Sequence, residues 1–173
     1  KMLQGTLHLL QKDIGQDHTN LKESPDKLYQ LVKEVLLPVL DVEEMAGATL
    51  GQKWKGASDP QKKQFIDFFG LMLTKRYADA LLTVSDYELK FRTLPKSVWR
   101  ESDHVSIAGQ VTSKNGGAPS RVTYYLVKKG KKWQVYDMAI EGVSLVENYR
   151  SQFQSFSNLG ALIDRLKKMN KDT

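Results

Sequence analysis

Hydrophobic positions along this chain change their spacing twice. Up to about residue 83 they return every three or four places, the interval of a helix face. Between 85 and 142 they alternate with polar residues, as on a strand, and beyond 144 the helical interval resumes. Leu3, Leu7, Leu10 and Ile14 mark a first amphipathic helix ending near Gly15. Ser24 before Pro25 is a helix start, and Leu28, Leu31, Val32, Val35 and Leu36 give this second helix an apolar stripe that Pro38 ends or kinks. Asp41 with Glu44 caps a short third helix closed by Gly51. Ser58 with Gln61 opens the longest helix, expected to run to about Leu82. Phe65, Phe69, Leu73, Tyr77 and Leu81 form one row of it, while Ile66, Phe68, Met72 and Ala80 widen the apolar face beyond what one neighbouring helix covers. Such a face is either deeply buried or lines a cavity.

Four strands follow. Tyr87, Leu89 and Phe91 alternate with charged residues; Val105 to Thr112 is the second strand, Arg121 to Val127 the third and Trp133 to Glu141 the fourth. Asn115-Gly116-Gly117 and Lys129-Gly130-Lys131 are turns between them. Strict alternation in the fourth strand puts Tyr136, Met138 and Ile140 on one face and Trp133, Val135, Asp137, Ala139 and Glu141 on the other. Gly142 breaks the run, and Ser144 with Glu147 starts a helix at about Leu145 whose inward row holds Tyr149, Phe153 and Phe156. After a break near Ser157, Leu159, Leu162, Ile163, Leu166 and Met169 define a last helix. The expected fold class is α+β: a four-stranded or slightly larger curved antiparallel meander with helices packed across it. One domain, 1–173, is expected, with helices over 1–83, the sheet over 85–142 and helices again over 144–170.

Composition narrows the function classes. At 173 residues, 40% hydrophobic and 27% charged, the chain can bury a sizeable core, and no apolar run approaches a membrane span. The net charge of +6 gathers partly in Lys128, Lys129, Lys131 and Lys132 and in Lys167, Lys168 and Lys171. No nucleic-acid-binding motif accompanies these lysines, so nucleic acid is not expected as a partner. The absence of cysteine removes thiol catalysis and thiolate metal sites, and His8, His18 and His104 are scattered, so no metal site is expected. The one enzymatic possibility is Asp137 as a base in an apolar pocket, with Tyr124, Tyr125 and Tyr136 nearby. A lone carboxylate is weak evidence for catalysis, and its expected roles are to pair with Arg121 or Arg150 or to cap a backbone group. Arg150 could meet a phosphate, but an ion pair with Glu141, Asp137 or Asp164 is the favoured reading. No enzyme activity is expected.

The run W-x-V-Y-D-x-x-I-E-G-V-S-L from Trp133 to Leu145, continuing into Asn148-Tyr149-Arg150-x-Gln152-Phe153, resembles the MlaC family, also called toluene-tolerance proteins. Leu36-Leu37-Pro38 with Asp41, Leu50-Gly51 with Trp54, the row from Gln61 to Leu81, Gly160 and Leu162-Ile163 carry the resemblance along nearly the whole chain. Met138 and Ala139 stand where that family more often has a β-branched residue. The resemblance implies a cone-like sheet related to nuclear-transport-factor folds, enclosing an apolar cavity. It also implies a periplasmic phospholipid carrier, its leader peptide removed, that needs no cofactor and holds glycerophospholipid as cargo. Its partners would be an outer-membrane lipoprotein complex and an inner-membrane transporter complex, between which it shuttles lipid and so maintains outer-membrane asymmetry; a monomer is expected. A small-molecule isomerase using Asp137 and a ligand-free interaction module are the alternatives. If tails lie between the sheet and the long helix, the expected lining is Phe69, Met72, Leu73, Tyr77, Val105, Ile107, Val111, Tyr136, Met138, Ile140, Val143, Val146 and Tyr149. The lysines at 129, 131 and 132 are a candidate docking surface.

Overall fold

The computed structural model describes residues 1–172. Helix α1 (Met2–Gln16) and the short α2 (His18–Glu23) lead to α3 (Pro25–Leu36), whose N-terminus is capped by the Ser24 hydroxyl accepting from the Lys27 amide. Pro38 ends that helix in a single 3-10 turn, Leu37–Val39. Then come α4 (Val42–Leu50), α5 (Gln52–Lys55) and α6 (Asp59–Arg76), which begins with the reciprocal Ser58–Gln61 capping box. The long helix stops six residues short of Leu82, at Arg76. Tyr77 leaves helical geometry at φ −107°, ψ 19°, and α7 (Ala78–Leu82) restarts at an angle that buries Leu82 with Leu10, Ile14, Leu21, Leu28 and Val32.

The sheet is antiparallel in the order β1 (Tyr87–Phe91), β2 (His104–Ser113), β3 (Ser120–Lys129), β4 (Lys132–Ile140) and β5 (Val143–Ser144). Helix α8 (Lys96–Glu101) fills the β1–β2 connection. The fifth strand exists because Glu141 and Gly142 both take positive φ, 49° and 82°, the geometry of a two-residue hairpin turn. Gly109 allows β1 and β2 to close, since a Cβ there would lie 2.8 Å from the Lys90 carbonyl oxygen.

One residue overturns the strict alternation expected of β4. Tyr125 pairs with Asp137 while Leu126 pairs with Val135, leaving Tyr136 as the extra residue of a β-bulge. Met138, opposite Tyr124, therefore shares a face with Val135, opposite Leu126. Asp137 moves to the other face with Tyr125, not onto the face of Trp133 and Val135. Tyr136 turns toward His104 and Tyr125, with ring centroids 5.8 and 6.3 Å away.

Helices and sheet meet through a backbone link that no periodicity announces. Leu40 makes a parallel bridge to Val135: the Asp41 amide donates to the Val135 carbonyl at 2.9 Å, and the Gln134 side-chain amide to the Leu40 carbonyl at 3.3 Å. Beside it the Asp41 carboxylate accepts from the Glu44 amide at 3.1 Å, capping α4, and is met by the Lys129 ammonium. After β5, α9 (Leu145–Phe153) and α10 (Leu159–Lys171) return across α4 and α6 and bury Tyr149, Phe153, Leu162 and Leu166 against Phe65.

Candidate functional site

Two cavities open on the sheet face that carries Val135 and Met138. The first, about 360 Å³, is enclosed by α3, α4, α6 and α9, with Met138 as its contribution from the sheet. Its wall is almost entirely apolar. Val32 and Leu36 come from α3, Met45 and Ala46 from α4, Phe69 and Leu73 from α6, Leu145 and Val146 from α9. The volume lies at the low end of the ~300–1,000 Å³ typical of small-molecule sites, and the lining has the matching character. The second cavity, about 600 Å³, lies between the start of α1 and the sheet. Trp133, Leu126, Val105 and Ile107 form its floor, while Lys1, Gln4, Arg92 and Thr93 make it more polar. Leu40 lines the first cavity and packs with Val135, Val105 and Leu126, so the Leu40–Val135 bridge stands between the two.

Aromatic rings stiffen the first cavity. Phe69 stacks on Phe65 at 5.2 Å and meets Tyr149 edge-on at 4.9 Å, which fixes one wall in place. Close approach of α3 to α6 depends on Gly70, over which the Tyr29 ring lies. At that edge the Tyr29 hydroxyl donates to Asp67 at 3.4 Å and Lys33 pairs with the same carboxylate at 3.2 Å. Burial, helped by Asp67, pushes the Tyr29 phenol up to about 12. At the Tyr77 end, Tyr149 is 2% exposed and its hydroxyl has no hydrogen-bond partner among the described residues.

The sequence model of the MlaC protein family matches residues 4–169. This chain belongs to the MlaC family. The Haemophilus influenzae intermembrane phospholipid transport system binding protein MlaC is 27% identical over 173 residues, 98% of this chain and 79% of that protein. Toluene tolerance protein ttg2D of Pseudomonas putida is 26% identical over 153 residues, 88% of this chain and 69% of that one. A solved structure of the phospholipid-binding protein from Ralstonia solanacearum in complex with a phospholipid shares the fold at a TM-score of 0.86. It is 24% identical, with 99% of this chain and 96% of that one covered.

Of the residues expected to line a cavity in this MlaC-family chain, Phe69, Leu73, Tyr77, Met138, Val146 and Tyr149 meet around the first, and Val105 and Ile107 around the second. Met72 is 8% exposed, packed in the core with Phe65 and Leu166, and lines neither. Val111, paired with Leu89, and Tyr136, turned away by the bulge, also lie outside both. Ile140 and Val143 are corrections: they flank the Glu141-Gly142 turn at the tip of the β4–β5 hairpin and are 47% and 62% exposed. The expectation missed the α3 and α4 walls and the turn between them, including Tyr29, Leu37, Val42, Met45 and Thr49. Their stripes were legible, but a stripe reads the same whether it faces a neighbour or a void.

The family's run of residues from Trp133 onward builds the corner between β4 and α9. One carboxylate oxygen of Asp137 accepts from the Val146 amide at 3.1 Å and the Met138 amide at 2.7 Å, while the other accepts from the Ser144 hydroxyl. The Ser144 hydroxyl in turn accepts from the Glu147 amide at 3.1 Å and caps α9. Asp137 thus caps backbone groups. Arg121 pairs with Glu141 at 3.4 Å, and the expected ion pair of Arg150 does not form among the described residues, where Arg150 is exposed. Among those residues no group of three or more His, Cys, Asp or Glu side chains converges, and no helix is long and apolar enough to cross a membrane.

Proposed function

We propose that this protein is a periplasmic phospholipid carrier: it encloses acyl chains in the helix-walled cavity and passes lipid between an outer-membrane lipoprotein complex and an inner-membrane transporter complex. The observation that carries this reading is an apolar cavity bounded by four helices and Met138 in a chain of the MlaC family. Exposing a two-tailed lipid to water costs on the order of 25 kcal/mol, about 0.8 kcal/mol for each of roughly 30 methylenes. A carrier must offset most of that by burial yet leave the lipid exchangeable with a bilayer, which calls for an apolar slot and no reacting groups. The relatives' names point the same way: one is a phospholipid transport binding protein, and the Ralstonia protein is complexed with a phospholipid.

The protein works, in this reading, as a monomer without cofactor or catalytic residue. Asp137, the one candidate base, is spent on the β4–α9 corner and lines neither cavity. The test is organic extraction of natively purified protein followed by mass spectrometry. Glycerophospholipid near one equivalent supports the carrier; lipid-free protein that takes none from vesicles refutes it.

A further inference from the structure

A buried phenol without a partner is costly, of order 1–3 kcal/mol, and folded proteins seldom keep one unless something else uses it. Tyr149 is such a group: 2% exposed, its hydroxyl unpaired among the described residues, its ring held by Phe69 and Phe153. Nothing in the packing requires a hydroxyl there, since the ring contacts are those of a phenylalanine. The charged and phenolic groups that act on it are Arg76 and Tyr77. Tyr77, also on the cavity wall, lies where α6 breaks, and the Arg76 guanidinium sits 5.9 Å over the Tyr77 ring. Arg76 and Tyr77 are both exposed, and Arg76 makes no ion pair among the described residues. The two groups are near enough to act on the Tyr149 phenol. Burial raises its titration, Tyr77 adds to this, and the guanidinium opposes it.

We propose that Arg76, Tyr77 and the Tyr149 hydroxyl form a phosphate subsite at the end of the helix-walled cavity, where the head-group phosphate of a bound glycerophospholipid is held. A guanidinium and a phenol exposed at the end of an apolar slot, with a second phenol buried behind them, match an amphiphile whose tails run inward from an anionic group. The last turn of α6 supplies the guanidinium, and its C-cap residue Tyr77 supplies the phenol beside it. The phosphate also supplies the acceptor that the Tyr149 hydroxyl lacks.

This inference rests on the carrier reading, and one competition separates the two. Protein is incubated with vesicles carrying equal amounts of dioleoyl phosphatidate and dioleoylglycerol, re-isolated and extracted, and the two lipids are quantified. Wild type is expected to take up phosphatidate in at least about tenfold excess, and Tyr149→Phe and Arg76→Gln each to cut that excess several-fold. Tyr149→Phe without lipid is expected to unfold at the same or a higher temperature, because it loses only an unpaired hydroxyl. Uptake of neither lipid by wild type refutes the carrier reading itself. Equal uptake of both by wild type, or an excess that survives both substitutions, overturns the subsite while leaving the carrier standing. A loss of melting temperature in lipid-free Tyr149→Phe also overturns it, since the hydroxyl would then serve the fold.

Discussion

Tyr29 lies on Gly70: a Cβ at residue 70 would sit 2.8 Å from the Cε2 atom of that ring and 2.9 Å from its hydroxyl. The contact sets how closely α3 approaches α6 at the edge of the helix-walled cavity. Gly70→Ala gains about 1 kcal/mol of helix propensity but forces the ring to move, which costs about 1–3 kcal/mol. The expected result is a net loss of stability below about 2 kcal/mol that disappears in the Tyr29→Ala background. A double-mutant cycle by urea unfolding measures that coupling.

Glutamate at two positions separates cavity wall from surface. Leu73→Glu places a carboxylate in the apolar wall and is expected to abolish recovery of lipid with the purified protein. Ile140→Glu, at a position 47% exposed, is expected to retain lipid and melt within a few degrees of wild type. Circular dichroism establishes that each variant is folded before lipid is extracted.

The Asp137 carboxylate is a structural corner piece. Asp137→Ala strips acceptors from the Val146 and Met138 amides and from Ser144, and is expected to cost about 2 kcal/mol or more. Asp137→Asn keeps one acceptor oxygen and is expected to cost less. Denaturant midpoints give the order, and lipid content per folded molecule should hold in both.

Lys129, expected as part of a docking surface, is engaged with Asp41 and lies 3.7 Å from Glu44. Asp41→Ala removes the α4 cap and is expected to cost about 1 kcal/mol. Asp41→Asn retains the cap, so its smaller loss should shrink further at high salt, where the wild-type ion pair is screened. Lys131→Ala with Lys132→Ala should leave the urea midpoint unchanged, which makes that pair the cleaner probe of docking.

High pH acts through Tyr29. Its folded-state value of about 12 exceeds the unfolded value of about 10, so the folded protein holds the proton more tightly. Stability from this group is complete below about pH 10 and is lost as pH rises through 12. Tyr29→Phe is expected to flatten the fall in melting temperature over that interval, and the phenolate absorbance of the folded protein should lose a component that titrates at about 12.

The sequence by itself determined the main helices, the four long strands and their order, because caps and periodicity act within a few residues, while the short α2, α5, α7, α8 and β5 were not legible. Ser24, Ser58 and Ser144 mark helix starts that the structure keeps, and the shift from helical spacing to alternation locates the sheet. It also determined the family, since the motifs from Trp133 to Phe153 are contiguous. Tertiary structure alone decided which apolar side chains meet a void. Met72 and Leu73 are neighbours on one helix, yet one fills the core and the other lines the cavity, because a cavity is a gap left by several elements together. The bulge at Tyr136 likewise turns Met138 into the helix-walled cavity and Asp137 onto the opposite face, where it meets the start of α9, through one extra residue in a pairing register, and register is a property of two strands. The Tyr149 hydroxyl is the same case. Its ring is placed by a local row of apolar residues, and its lack of a partner arises only where α9 brings that ring against Phe69 of α6.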